Sequence, residues 1–186
     1  MHALLVSAVA VAVAEIGDKT QLLALVLAAR YRKPWPICLG ILVATLVNHA
    51  LAGEAGVLVS QWLSPATLRW LIGLSFLAVA VWALFPDKID EDRAEGKTHG
   101  GVFIASAVGF FLAEMGDRTQ IATAVLAASH HPLWQVVAGT TLGMLAANLP
   151  VVFFGARFAH RLPLQATRLV ACLLFAALGI VVLLHG

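Results

Sequence analysis

Glu15, Asp18 and Gln21 follow one another at steps of three, and so do Glu114, Asp117 and Gln120. Residues three apart share a helix face, so each set forms a short column of two carboxylates and an amide. The columns belong to two copies of one motif, Glu15-Ile16-Gly17-Asp18-Lys19-Thr20-Gln21 and Glu114-Met115-Gly116-Asp117-Arg118-Thr119-Gln120, offset by 99 residues. Thr20 and Thr119 add hydroxyls. Carboxylate, amide and hydroxyl oxygens suit Mg²⁺, Ca²⁺ and Mn²⁺, whereas thiolate and imidazole clusters suit Zn²⁺ or Cu⁺. With Lys19 and Arg118 counted, the four carboxylates leave a net charge of −2, which one divalent cation neutralises. Crowded carboxylates in a low dielectric hold protons more readily than free ones, so protons could replace a departing cation. Gly17 and Gly116 stand between the two acids of each copy. They either allow close backbone approach or break the helix and free carbonyls as ligands.

Both copies lie inside apolar runs. The chain of 186 residues is 61% hydrophobic and 12% charged, with a mean hydropathy of +0.91. A soluble domain is about 45–50% apolar and about 25% charged, so this composition is that of an integral membrane protein. A charged side chain at the bilayer centre costs at least ~2.5–3.5 kcal/mol. Meeting that cost repeatedly, in the same pattern twice, points to a shared polar site. A set of structural ion pairs clamping two helices together is the plainer alternative, but it requires neither a second carboxylate nor the Gly, Thr and Gln of each copy. The formal charge of +2 comes from basic residues scattered at helix ends and implies no nucleic acid. Cys38 and Cys172 sit singly in apolar segments and read as reduced packing residues. The first apolar run lacks a basic leading region and carries Glu15 and Asp18, so it does not read as a signal peptide.

Runs of about 20 apolar residues mark spanning helices. Six are expected, over 3–29, 36–60, 66–85, 102–129, 133–157 and 165–184. The fold class is therefore all-α, one transmembrane domain built from a first three-helix repeat (1–86), a polar linker (87–101) and a second three-helix repeat (102–186). Matches at the same offset support the repeat: Ser7 with Ser106, Val26 to Ala29 with Val125 to Ala128, Gly40 with Gly139, Gly56 with Gly155, Arg69 with Arg168. An odd number of helices per repeat makes the second enter the membrane from the opposite side, the inverted-repeat plan of secondary transporters. The links after helices 1, 3 and 5, with their flanks, carry three Lys/Arg each: Arg30, Arg32, Lys33; Lys88, Arg93, Lys97; Arg157, Arg161, Arg168. Positive residues favour the cytoplasm, so both termini are expected outside and the linker inside. Trp35, Trp62, Trp70 and Trp134 fall near helix ends, where interfacial tryptophans belong.

Further polar residues lie mid-membrane. Asn48, His49 and Glu54 are on helix 2, and Asn148 is at the repeat position of His49 on helix 5. His49 and Asn148 could complete an ion site, serve as a gate, or make a helix–helix hydrogen bond. Glu54, whose repeat partner is Phe153, could accept protons or face an outer vestibule. Lys19 and Arg118 could clamp the two helices or snorkel toward water. Thr45, Thr140 and Thr141 read as backbone-bonded packing residues, Met115 as packing, and His130-His131 as an exposed turn.

The doubled Glu-x-Gly-Asp-[Lys/Arg]-Thr motif, in a six-helix chain with an acidic central linker, resembles the Gdt-type cation transporter family. That family includes bacterial manganese exporters and organellar calcium/manganese transporters. The matching residues are Glu15, Gly17, Asp18, Lys19, Thr20 and Glu114, Gly116, Asp117, Arg118, Thr119. The resemblance implies Mn²⁺ transport, with Ca²⁺ as the alternative cargo, coupled to protons and without a permanently bound cofactor. The short linker resembles the bacterial members, which implies export across the inner membrane. A divalent-cation channel lined by the same carboxylates is a further alternative. No nucleophile–base pair suggests an enzyme, and self-association into a homo-oligomer stays open.

Overall fold

The computed structural model describes residues 2–85, 101–155 and 164–185, and among these the regular structure is entirely helical. Eight helices follow in order: α1 (His2–Glu15), α2 (Lys19–Tyr31), α3 (Pro34–Trp62), α4 (Pro65–Ala83), α5 (Gly101–Glu114), α6 (Arg118–Ser129), α7 (Leu133–Phe154) and α8 (Leu164–His185). The expected linker lies outside the described residues apart from Gly101, which opens α5; so do Arg157, Arg161 and the turn at 161–163.

The two runs expected as continuous helices, 3–29 and 102–129, are each interrupted at the motif. Gly17 and Gly116 take left-handed backbone angles, φ 83° and 73°, which cost a residue with a Cβ about 1–2 kcal/mol. The glycines thus serve the second of the two roles weighed for them, the break. Asp18 and Asp117 then act as extended N-cap residues for α2 and α6.

Pro34–Trp62, Pro65–Ala83 and Leu133–Phe154 are long and apolar enough to cross a membrane; His2–Glu15, Gly101–Glu114 and the Arg168–Leu184 part of α8 are shorter apolar stretches. α4 starts on a Ser64 cap that accepts from the Thr67 N–H at 3.2 Å, with Pro65 in the first turn, where a proline forfeits no helical hydrogen bond. Trp35, Trp62, Trp70 and Trp134 are all more than half exposed, consistent with anchoring at an interface.

Packing follows the repeat. α1 lies along α7 and α5 along α3; α2 contacts α7 and α6 contacts α3; α4 pairs with α8. The first two contacts use matched small residues. A Cβ on Gly40 would lie 2.6 Å from the Ser106 Cβ, and one on Gly139 would lie 3.0 Å from the Ser7 Cβ. Small residues let helices approach closely where lipid supplies no hydrophobic drive. Two apolar clusters result. One joins residues of α1, α4, α6, α7 and α8, including Ala10, Phe76, Leu126 and Phe175. The other joins residues of α2, α3, α5 and α7, including Leu27, Ile41, Phe110 and Val151. Each interrupted run contributes its two segments to different clusters, so both breaks fall at the junction between them.

Candidate cation site

Glu15 ends α1 and Asp18 caps α2, while Glu114 and Asp117 do the same for α5 and α6. All four are buried. An N-cap aspartate ordinarily accepts from the N–H groups of its own first turn. Neither Asp18 nor Asp117 does so, and both carboxylates turn inward. Glu15, Asp18 and Asp117 each bring a carboxylate oxygen within 4.8 Å of the others. This triad draws on both copies of the motif. The C-terminal ends of α1 and α5 bring negative dipole poles to the breaks and the N-terminal ends of α2 and α6 bring positive ones, so the attraction for a cation comes from the carboxylates.

The cations of the motif pair across the copies. Arg118 donates from Nη2 to Asp18 Oδ1, and Lys19 Nζ lies 3.0 Å from Asp117 Oδ1. Asp18 and Asp117 are thus each paired with the basic residue of the opposite motif, an arrangement that corresponds to the clamp, one of the two roles weighed for Lys19 and Arg118. The Lys19 side chain keeps 22% of its surface exposed, whereas that of Arg118 keeps 5%. Thr20 donates to Glu15 Oε2, and Thr119 donates to Asp117 Oδ2 at 3.2 Å.

The two glutamines do a different job from the one their spacing suggested. Gln21 Oε1 accepts from the Gly17 N–H at 2.8 Å, and its Nε2 donates to the Ala147 carbonyl at 2.8 Å. Gln120 Oε1 accepts from the Gly116 N–H, also at 2.8 Å. Their amide oxygens brace the breaks rather than face the carboxylates. Each break frees backbone N–H groups that the preceding turn no longer satisfies, and the amide meets one of them.

Glu114 is held apart from the triad by α3. Its Oε1 accepts from Thr45 at 2.7 Å and its Oε2 from Asn48 Nδ2 at 3.2 Å, while His49 Nε2 stands 4.0 Å from Oε2. Thr45 is therefore a partner of a motif carboxylate, contrary to its reading as a packing residue. Thr140 does bond to backbone, donating to the Val136 and Val137 carbonyls. The signal for the α3 stripe was present, since Thr45, Asn48 and His49 stand at i, i+3 and i+4 on one face. Asn148 donates to the Met144 carbonyl at 3.1 Å and lies 3.0 Å from the Met144 sulfur. Glu54 is exposed, and His130 is half-buried against Ser129 rather than fully exposed.

The family model described as "Divalent cation/proton antiporter GDT1" matches residues 3–91 and 102–186. The chain belongs to the GDT1 family. A Vibrio cholerae protein named "Putative manganese exporter" is 51% identical over 181 residues, covering 97% of this chain and 90% of its own length. The GDT1-like protein sll0615 of Synechocystis is 29% identical over 197 residues, covering 92% of this chain and 91% of its own. GDT1-like protein 3 of Arabidopsis thaliana is 29% identical over 195 residues, covering 90% of this chain and 66% of its own. No solved structure matches. Both interrupted segments fall inside the matched ranges, so the transporter family and the buried carboxylates concern the same part of the chain.

Proposed function

We propose that this chain exports Mn²⁺ across the bacterial inner membrane by exchange for protons, using the carboxylates of the two motif copies as the shared site. The observation that carries this reading is the buried triad of Glu15, Asp18 and Asp117, assembled from both copies. An all-oxygen cage suits a hard divalent cation. The cation is cargo, not a resident cofactor. As it leaves, protons taken up by the glutamates replace its charge, while Asp18 and Asp117 keep Arg118 and Lys19 as partners, so the site need not cross the low-dielectric interior with uncompensated charge. The name of the Vibrio cholerae relative favours manganese among the divalent ions.

The architecture behind this reading is six spans in two inverted repeats. α1 with α2 forms the first span and α5 with α6 the fourth. Broken helices whose ends meet at the midplane are the usual ion sites of such transporters. The matched contacts of α1 on α7 and α5 on α3 support a pseudo-two-fold relation. The basic residues Arg30, Arg32 and Lys33 at the end of α2 and just beyond it favour a cytoplasmic link there, with the termini outside.

A Ca²⁺/proton antiporter is the second reading, favoured by the absence of nitrogen and sulfur donors from the triad itself. Uptake into proteoliposomes under an imposed pH gradient, with Mn²⁺ and Ca²⁺ in competition, separates them. Saturable Mn²⁺ flux that follows the gradient supports the first. Ca²⁺ outcompeting Mn²⁺ supports the second, and unsaturable flux indifferent to the gradient indicates a channel.

A further inference from the structure

The two glutamates that end α1 and α5 are repeat equivalents, but their surroundings are not. Around Glu114, α3 presents Thr45, Asn48 and His49. The residues at the equivalent positions of α7 are Met144, Ala147 and Asn148. α3 therefore carries an imidazole where the equivalent position of α7 carries an amide, and the extra polar groups are not saturated among the described residues. His49 is fully buried, and among the described residues neither of its ring nitrogens has a hydrogen-bond partner. The side-chain oxygen of Asn48 is likewise buried without one, although its Nδ2 donates to the Phe111 carbonyl and to Glu114. A buried imidazole with both nitrogens unsatisfied is costly unless something else meets them.

The spacing indicates what that is. His49 Nε2 and Glu114 Oε2 are 4.0 Å apart, too far for a hydrogen bond. Metal–donor bonds of about 2.1 Å place two donors on opposite sides of one ion up to about 4.2 Å apart. We propose that Glu114, His49 and the Asn48 oxygen form a second cation position beside the carboxylate triad, and that His49 supplies the nitrogen donor that selects Mn²⁺ over Ca²⁺ and Mg²⁺. This rests on the transport reading above and deepens it. The triad offers only oxygen and accepts any hard divalent ion. Imidazole adds affinity for transition metals, whereas Ca²⁺ and Mg²⁺ gain little from it. Thr45 and the Asn48 amide hold the carboxylate against α3, on the element that also carries His49. A cation passing between the two positions meets an oxygen-only cage on one side and a mixed nitrogen–oxygen site on the other.

Pulsed electron paramagnetic resonance of Mn²⁺ bound to the purified full-length protein tests this. A histidine on Mn²⁺ gives a ¹⁴N modulation of the electron spin echo, which ¹⁵N-labelled histidine replaces with a ¹⁵N signal. The wild type is expected to show it, and His49→Asn, which installs the residue found at the repeat position, is expected to lose it. In proteoliposomes the same variant is expected to lose at least about tenfold of its preference for Mn²⁺ over Ca²⁺, the lower end of what loss of even an outer partner costs a metal site. His49→Gln serves as the second variant, and a labelled wild type without a histidine nitrogen on Mn²⁺ overturns the ligation even if neither variant folds. Mn²⁺ transport with no histidine nitrogen on the ion, or a nitrogen signal and selectivity unchanged in folded variants, overturns the second position while leaving the transporter standing. Failure of the wild type to bind or carry Mn²⁺ overturns the transport reading and this one with it.

Discussion

At the scale of single residues, the site is organised by charge exchange between the motif copies. Asp18 is paired with Arg118 and Asp117 with Lys19, so neither copy is electrostatically complete alone. Such pairs contribute little net stability once desolvation is counted, but removing one partner leaves a buried charge and costs about 3–5 kcal/mol. Arg118→Gln is therefore expected to lower the thermal stability of the purified protein clearly, and adding Asp18→Asn to recover most of the loss. Transport should not recover in the double variant, because the triad has lost a carboxylate. If Arg118→Gln unfolds no earlier than the wild type, Arg118 is not the counter-charge of Asp18. The residue types of this site were legible in the sequence, since two acids, a cation, a glycine and a threonine repeated at one offset mean little else in a membrane. The division of labour was not. Spacing by three places Gln21 and Gln120 in the same columns as the acids, yet the helices break inside those columns, and the glutamines turn to the glycine N–H groups.

At the scale of elements, the breaks set the geometry. A continuous helix through residues 3–29 would hold Glu15 and Asp18 one turn apart on a single face. The left-handed turn at Gly17 lets one end a helix and the other begin the next, so that their oxygens come within reach of Asp117. Gly116 gives a clean test, because a Cβ there would have nothing within 4 Å while its φ is 73°. Gly116→Ala should cost about 1–2 kcal/mol through the backbone alone, and Gly116→Asn should cost less, because asparagine enters the left-handed region more readily. Equal stabilities measured by thermal unfolding would mean that the break relaxes without strain. Hydropathy located the outer ends of these helices to within a few residues, because each lies in a long apolar run. It could not choose between a glycine that bends the backbone and one that admits a neighbour. Both roles occur in this chain: Gly116 turns the chain, whereas a Cβ on Gly56 would lie 2.0 Å from the Ala124 carbonyl oxygen.

At the scale of the whole molecule, the repeats match in their inner contacts and differ in their outer ones. α3 and α7 each receive the broken helix of the opposite repeat, but α4 packs on α6 while α8 packs on α1. The α4–α8 pair thus rests on the segments that share one apolar cluster. Exchanging the repeats' roles would set α8 on α2 and α4 on α5. Rocking between two such arrangements around a fixed site is how inverted-repeat transporters expose it to each side in turn. The proposed orientation makes a prediction of its own. Single cysteines placed in the 87–100 segment should react with an impermeant thiol reagent only from the cytoplasm, and cysteines next to either terminus only from outside. The reverse pattern would overturn the orientation read from the basic residues.

The most direct test of the shared carboxylate site is proton-driven Mn²⁺ flux in proteoliposomes, comparing the wild type with Asp18→Asn and Asp117→Asn after verifying that both variants are folded. The account predicts that either substitution abolishes the flux, because each removes one member of a triad that the two motif copies build together. Undiminished flux in either folded variant would contradict it.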